Sequence, residues 1–249
     1  MRAKERHHLK ENELAERLHQ ARDYIEPRRK QISMAGVVVV LIALAVVGVF
    51  VMRQRTQSRA QEMLADAMVV LDAQVIPPAP VDPKSPTPPA AAMSGTGTYT
   101  TETEKFNAAV PKLRQAADAY PDTGAGITAR YHLANTLSAL GKHTDAVQAY
   151  EEVIKRGGND VYGQMARLGK AEEQARAGQH DAAIATYKEL SEKKDGDLPT
   201  DAILMELGRA YLAAGKKADA QKTFTKVVDE HPDSPYVGEA RKELDALKG

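Results

Sequence analysis

Gly141, Gly178 and Gly215 stand 37 residues apart, and other residues keep the same beat. Ala146, Ala183 and Ala220 repeat it five positions on, and Tyr150, Tyr187 and Phe224 nine positions on. A turn glycine, a small residue and an aromatic that return three times in register describe one supersecondary unit stacked on itself. Each unit buries its apolar face against its neighbours, and the long surfaces so formed generally bind partners rather than transform substrates.

Apolar periodicity makes each unit a pair of helices, so the chain is all-α. The spacing predicts helices near 125–140 and 143–156, near 161–177 and 180–193, and near 200–214 and 217–230. A last helix near 235–247, with Ala240, Leu244 and Leu247 on one side, reads as a cap. Each glycine ends a first helix with positive φ. The alanine lets the second helix approach closely, and the aromatic fills the wedge between them. Pro121-Asp122-Thr123 and His231-Pro232-Asp233-Ser234-Pro235 supply stops followed by N-caps.

Upstream, Ala60, Met63, Leu64, Ala67, Met68, Leu71 and Val75 form a helical stripe that needs a partner. Residues 106–120 form another helix, whose Ala109, Leu113 and Ala116 lie 37 residues before Ala146, Tyr150 and Val153. These two segments are expected to pair antiparallel as a first hairpin. Its turn is replaced by a proline-rich loop at 77–101, with seven prolines between Pro77 and Pro89. That composition excludes a helix and suits a spacer, or a docking peptide for a proline-reading module.

Ile32 to Met52 holds 21 residues without a charge. At ~1.5 Å per residue a helix of this length covers the ~30 Å hydrocarbon core. A buried soluble helix or a cleaved signal peptide would be the alternatives. The long charged segment before the run and Arg53 directly after it argue for an uncleaved anchor. Arg17, Arg22, Arg28, Arg29 and Lys30 on one side outweigh Arg53, Arg55 and Arg59 on the other, which keeps the N-terminus cytoplasmic. The expected organisation is a cytoplasmic basic tail at 1–31, a transmembrane helix at 32–52 and a translocated repeat domain at 53–249. In the tail, Leu14, Leu18, Ala21 and Ile25 share a helix face, which suits the membrane interface or a membrane partner. His7-His8 reads as a solvated pair.

The chain carries 34 basic and 34 acidic side chains, so nucleic-acid binding driven by net charge is not expected. It has no cysteine, which removes disulfides, thiolate metal sites, cysteine nucleophiles and lipoprotein anchoring. His132, His143, His180 and His231 lack ligand spacing, and His143 and His180 read as solvated helix starts. Glu151-Glu152 and Glu172-Glu173 read as exposed helix faces. Gly157-Gly158 lacks the lysine and strand of a phosphate loop. With no nucleophile–base pattern, neither an enzyme nor a cofactor or metal is expected.

Leu133-Ala134, Gly141, Ala146 and Tyr150, together with Leu207-Gly208, Tyr211, Gly215, Ala220, Phe224 and Pro232, resemble the tetratricopeptide repeat, whose usual period is 34. The middle unit departs from the pattern, with Lys170 and Gln174 where large apolar residues are usual. The resemblance implies an α-solenoid of tetratricopeptide-like helical hairpins, which with the apolar run gives an all-α chain of an N-terminal transmembrane helix followed by that solenoid. It also implies that the first helix of each hairpin lines a concave groove. The register then assigns to a peptide groove Tyr131, Asn135 and Ser138, then Met165, Leu168 and Glu172, then Met205, Glu206, Arg209 and Leu212. The Lys/Arg cluster that cytosolic relatives use to clamp a terminal carboxylate is not reproduced.

The charged tail with Asn12-Glu13-Leu14-Ala15, one span and then such repeats is similar to the YfgM-type ancillary subunit family of the bacterial SecYEG translocon. That resemblance implies a single-pass inner-membrane protein with its repeats in the periplasm. Its implied partners are proteins or peptides, the translocon or envelope chaperones among them. A structural scaffold for cell division or envelope assembly is the alternative.

Overall fold

The computed structural model describes residues 29–76, 97–193 and 198–248. The basic tail, with its amphipathic segment and His7-His8, and the proline run 77–89 lie outside the described residues. The chain divides into two compact units, Met1–Arg55 and Thr56–Gly249.

Helix α1 (Arg29–Leu71) contributes to both units. From Val37 it is long and apolar enough to cross a membrane, with none of its apolar window buried. Phe50 is 66% exposed and Leu44 62%, which is the expected state of side chains whose solvent is hydrocarbon.

The second unit is a stack of helices. After α1 come two short strands, β1 (Gln74–Val75) and β2 (Thr98–Tyr99), paired in parallel with Gln74 opposite Thr98. The loop expected at 77–101 therefore ends earlier than its composition indicated. Thr98 and Tyr99 are strand formers and find a partner edge there. The helices that follow are α2 (Glu102–Ala119), α3 (Gly124–Ala139), α4 (His143–Gly157), α5 (Val161–Arg176), α6 (His180–Ser191), α7 (Thr200–Ala213), α8 (Lys217–Glu230) and α9 (Val237–Ala246). Helix α2 starts four residues before the expected position. Thr101 caps it by accepting from the Glu104 amide at 3.1 Å, and Glu104 in turn accepts from Thr100. This is a reciprocal capping arrangement.

The first helices end as the register requires. Gly141, Gly178 and Gly215 have φ of 72°, 75° and 74°. The next amide reaches back five residues each time, from Lys142 to Leu137 O, Gln179 to Gln174 O and Lys216 to Tyr211 O. Only glycine takes this left-handed turn without strain.

The expected first hairpin is present. Ala67 and Val70 of α1 share a core with Ala109 and Leu113 of α2, while Met63 and Leu64 pack on Ala116 and Ala117. The order runs in opposite directions along the two helices, so they are antiparallel. Downstream, Tyr187 and Phe224 join Ile203, Met205, Leu207 and Val227 in a second core, which the cap helix closes with Ala240.

Candidate functional site

Helices α3, α5 and α7 are the first members of their hairpins, and α3 also touches α5. The ten residues that the register assigns to these helices do not behave alike. Nine are half-buried, whereas Met205 is wholly buried in the core that Ala240 of the cap helix also enters. Met205 therefore presents no surface to a peptide. The last hairpin closes on α9, whose Ala240 shares that core, and the methionine is covered. Leu168 and Leu212 pack their inner edges on the same core.

Tyr131 lies 5.6 Å from the Tyr162 ring and 6.3 Å from the Tyr150 ring, centroid to centroid, both tilted. Tyr150 donates its hydroxyl to Asn135 Oδ1 at 2.6 Å. Burial first, then the neighbouring Tyr131, Glu172 and Glu173, holds the Tyr150 phenol far above its ordinary range, so it stays a donor. Its ring also occupies the space that a side chain at Gly169 would need, 2.5 Å from an added Cβ. One aromatic thus fixes Asn135 and the spacing of α4 to α5.

Further along the face, Glu172 is pushed toward the neutral form by burial and by the charge of Glu206. Glu206 pairs with Arg209, and Arg209 reaches Glu239 of α9 at 2.6 Å. These first helices therefore carry half-buried aromatic and aliphatic side chains, Tyr131 and Leu168 among them, and a charge network of Glu172, Glu206 and Arg209.

Glu173 overturns the expectation of an exposed acidic pair. Its side chain is 1% exposed. Ser138 donates to one carboxylate oxygen at 2.6 Å, Arg176 binds the same oxygen at 2.6 Å, and His143 Nδ1 sits on the other. Burial raises its affinity for a proton, but the bonds from Ser138 and His143 and the Arg176 charge outweigh it and strengthen the acid overall. His143 is accordingly more than a solvated helix start. The signal for this lies in the register: Glu173 is 37 residues from both Thr136 and Ala210, and all three are buried.

Because the folded state depresses the Glu173 pKa, the carboxylate contributes stability above the usual carboxylate range. That contribution is lost as pH falls through the folded value. Glu173→Gln is expected to cost about 1.5–3 kcal/mol at neutral pH, the scale of a charged hydrogen bond. In thermal melts run across pH, the gap to wild type should close in acid. A gap independent of pH would mean the carboxylate charge contributes nothing.

Among the described residues no group of three or more acidic or histidine side chains is placed to hold a metal ion. Residues 174–244 match one family model described as a tetratricopeptide repeat, and residues 102–161 and 131–198 match another of the same description. No curated protein matches the chain. Similar solved structures include two of a Podosopora anserina putative kinesin light chain with nearly identical TPR-like repeats, one of them carrying a single substitution. Both are 19% identical, cover 57% of this chain and 77% of their own, and have TM-scores of 0.49 and 0.48.

Proposed function

We propose that this chain, whose residues 102–244 are tetratricopeptide repeats, is a membrane-anchored protein-interaction module whose inner face holds a segment of a partner polypeptide. Tetratricopeptide repeats indicate protein–protein interaction, and one helix is long and apolar enough to span a membrane. The observation that carries the reading is the half-buried strip of Tyr131, Asn135, Leu168, Glu172, Arg209 and Leu212, taken from three successive first helices. Half-buried side chains are held in place by the fold yet keep surface for a second chain, as interface anchors require.

The finer reading places the tail 1–31 in the cytoplasm, the span 32–52 in a bacterial inner membrane and residues 53–249 in the periplasm. There the module assists protein translocation at a SecYEG-type translocon or works with envelope chaperones. It is non-catalytic and needs no cofactor. The basic residues before the span support the orientation. Protease added to spheroplasts is expected to digest the repeats and spare the tail; digestion of the tail instead would invert the topology. Co-purification from mild detergent with SecY-type subunits supports the translocon reading. Recovery with cell-division or envelope-assembly proteins alone would replace it with the scaffold reading.

A further inference from the structure

Asn135, Glu172 and Arg209 stand 37 residues apart, one on each of α3, α5 and α7, and so hold one position in three successive units. Two of them are answered inside the chain. Asn135 accepts from the Tyr150 hydroxyl at 2.6 Å, and Arg209 binds Glu206 and Glu239. Glu172 is half-buried, yet among the described residues it has neither a hydrogen bond nor an ion pair. Arg176 acts on it only at longer range, being bound to Glu173 and Ser138, and Glu206 adds like charge. With Glu173 and Glu239 counted, four carboxylates here face two guanidinium groups.

Tyr187 is a second and independent sign. It fills on α6 the place that Tyr150 fills on α4, and it is 1% exposed. The Tyr150 hydroxyl has Asn135, whereas that of Tyr187 has no hydrogen bond among the described residues. The charges of Glu172 and Glu206 both act on it, so it lies within electrostatic reach of the two. Among the described residues the fully covered side-chain polar atoms without a partner are Gln174 Oε1 and His180 Nδ1. The Tyr187 oxygen and the Glu172 oxygens are not of that kind and keep contact with the outside, and the Glu206 side chain is 36% exposed. A group arriving from solvent reaches all three. The approach to them is apolar. Val161, Met165, Leu168 and Glu172 recur at i, i+4, i+7 and i+11, which puts them along one face of α5. Val161 is exposed, and Met165 and Leu168 are half-buried.

We propose that this strip binds a partner segment carrying a lysine or arginine, whose charge seats between Glu172 and Glu206 while aliphatic neighbours lie along Leu168, Met165 and Val161. Charge complementarity selects that occupant. Two carboxylates and a phenol oxygen accept, and an ammonium or guanidinium group only donates. Among the described residues no third acidic or histidine side chain completes a metal-ion site, so the fitting cation is one that a polypeptide carries. An acidic or wholly apolar segment would strip water from Glu172 without answering its charge, which is costly. The proposal rests on the reading that the first helices hold a partner polypeptide, and it adds what that polypeptide brings.

The test uses the full chain in nanodiscs of zwitterionic lipid, where a basic peptide has no anionic surface to gather on. Glutamate is ¹³C-labelled at the side-chain carboxyl and leucine at the methyls. Glu172, Glu206 and Leu168 are assigned by the loss of each signal in Glu172→Gln, Glu206→Gln and Leu168→Ala. The probes are N-acetyl-leucyl-lysyl-leucinamide and the same peptide with norleucine or glutamate at its centre. The lysine peptide is expected to shift all three signals saturably, with a Kd on the order of 1 mM. The norleucine peptide should bind roughly tenfold more weakly, the factor for one charge-assisted hydrogen bond, and the glutamate peptide more weakly still. Glu172→Gln should remove most of the preference for lysine over norleucine. It should melt no lower than the wild type at neutral pH, because the carboxylate has no partner in the fold to lose. Equal shifts at Leu168 from the lysine and norleucine peptides would overturn the basic seat and leave the interaction reading standing. No shift from any of the three peptides also overturns the proposal, and the interaction reading is then decided by crosslinking in membranes. A lysine preference that survives Glu172→Gln, or a melting point several degrees lower in that variant, would give the carboxylate another role and overturn the proposal as well.

Discussion

Gly126→Ala is expected to lower the melting temperature of the protein by roughly 6–12 °C, although it adds one methyl group to a helix and alanine is the better helix former. Thr123 caps α3 by accepting from the Gly126 amide at 3.1 Å. That turn is pressed against the end of α2, so that a Cβ on Gly126 would sit 1.8 Å from the Tyr120 carbonyl oxygen. The obstacle is backbone at the end of a packed helix, so relief requires α2 and α3 to separate. Overpacking of this kind costs about 3 kcal/mol, and each kcal/mol moves the melting point of a domain this size by about 2–4 °C. The second unit repeats the device 37 residues on. Asp160 caps α5 through the Gly163 amide at 2.7 Å, and a Cβ on Gly163 would meet Gly158 O at 2.4 Å. Gly124→Ala, where nothing lies within 4 Å of the added atom, should be silent. Equal melting temperatures for Gly124→Ala and Gly126→Ala would refute the close approach.

Phe224→Ala is expected to cost about 3–5 kcal/mol, the range for emptying a buried phenylalanine site. Phe224 is 0% exposed, and its ring lies against Gly208, where an added Cβ would come within 2.4 Å of it. Ring and glycine are complementary halves of one contact between α7 and α8. Gly208→Ala should therefore be damaging in the wild type and nearly free once Phe224 has been shortened, a coupling of about 1–2 kcal/mol in a double-mutant cycle. Denaturant titrations of the four proteins measure it. Additive effects would mean that the ring does not fill the wedge between the helices.

These contacts divide into those that local sequence specifies and those that it does not. The turn glycines, the close-approach alanines and the wedge aromatics follow from local geometry repeated at a fixed period, and each occupies its expected place. The pairing of Met63–Leu71 with Ala109–Ala117 follows from two apolar faces that each lack a partner nearby in sequence. The glycines at 126 and 163 share the period, yet nothing around them in the sequence marks their role. It depends on a carbonyl from the preceding helix, whose distance no local pattern specifies. Glu173 departs from its expected exposure for a related reason. A Glu-Glu pair looks solvated, and the serine and histidine that satisfy the second glutamate lie 35 and 30 residues away on other helices. On the inner face, the register places Met205 beside Tyr131 and Leu168, but end effects decide exposure in a stack. The last unit meets a cap instead of a neighbour, and its methionine turns into core.

Site-directed photocrosslinking in intact membranes tests the inner face most directly. A photoreactive residue is placed in turn at Asn135, Leu168 and Leu212, half-buried on three successive first helices, and at Lys226, exposed on the second helix α8, as the reference. If the inner face holds a partner segment, the three inner positions form the same discrete adducts, mass spectrometry finds one shared partner polypeptide in them, and Lys226 does not form them. Adducts of equal yield from Lys226, or none from any inner position in cells that express the protein at its native level, would contradict it.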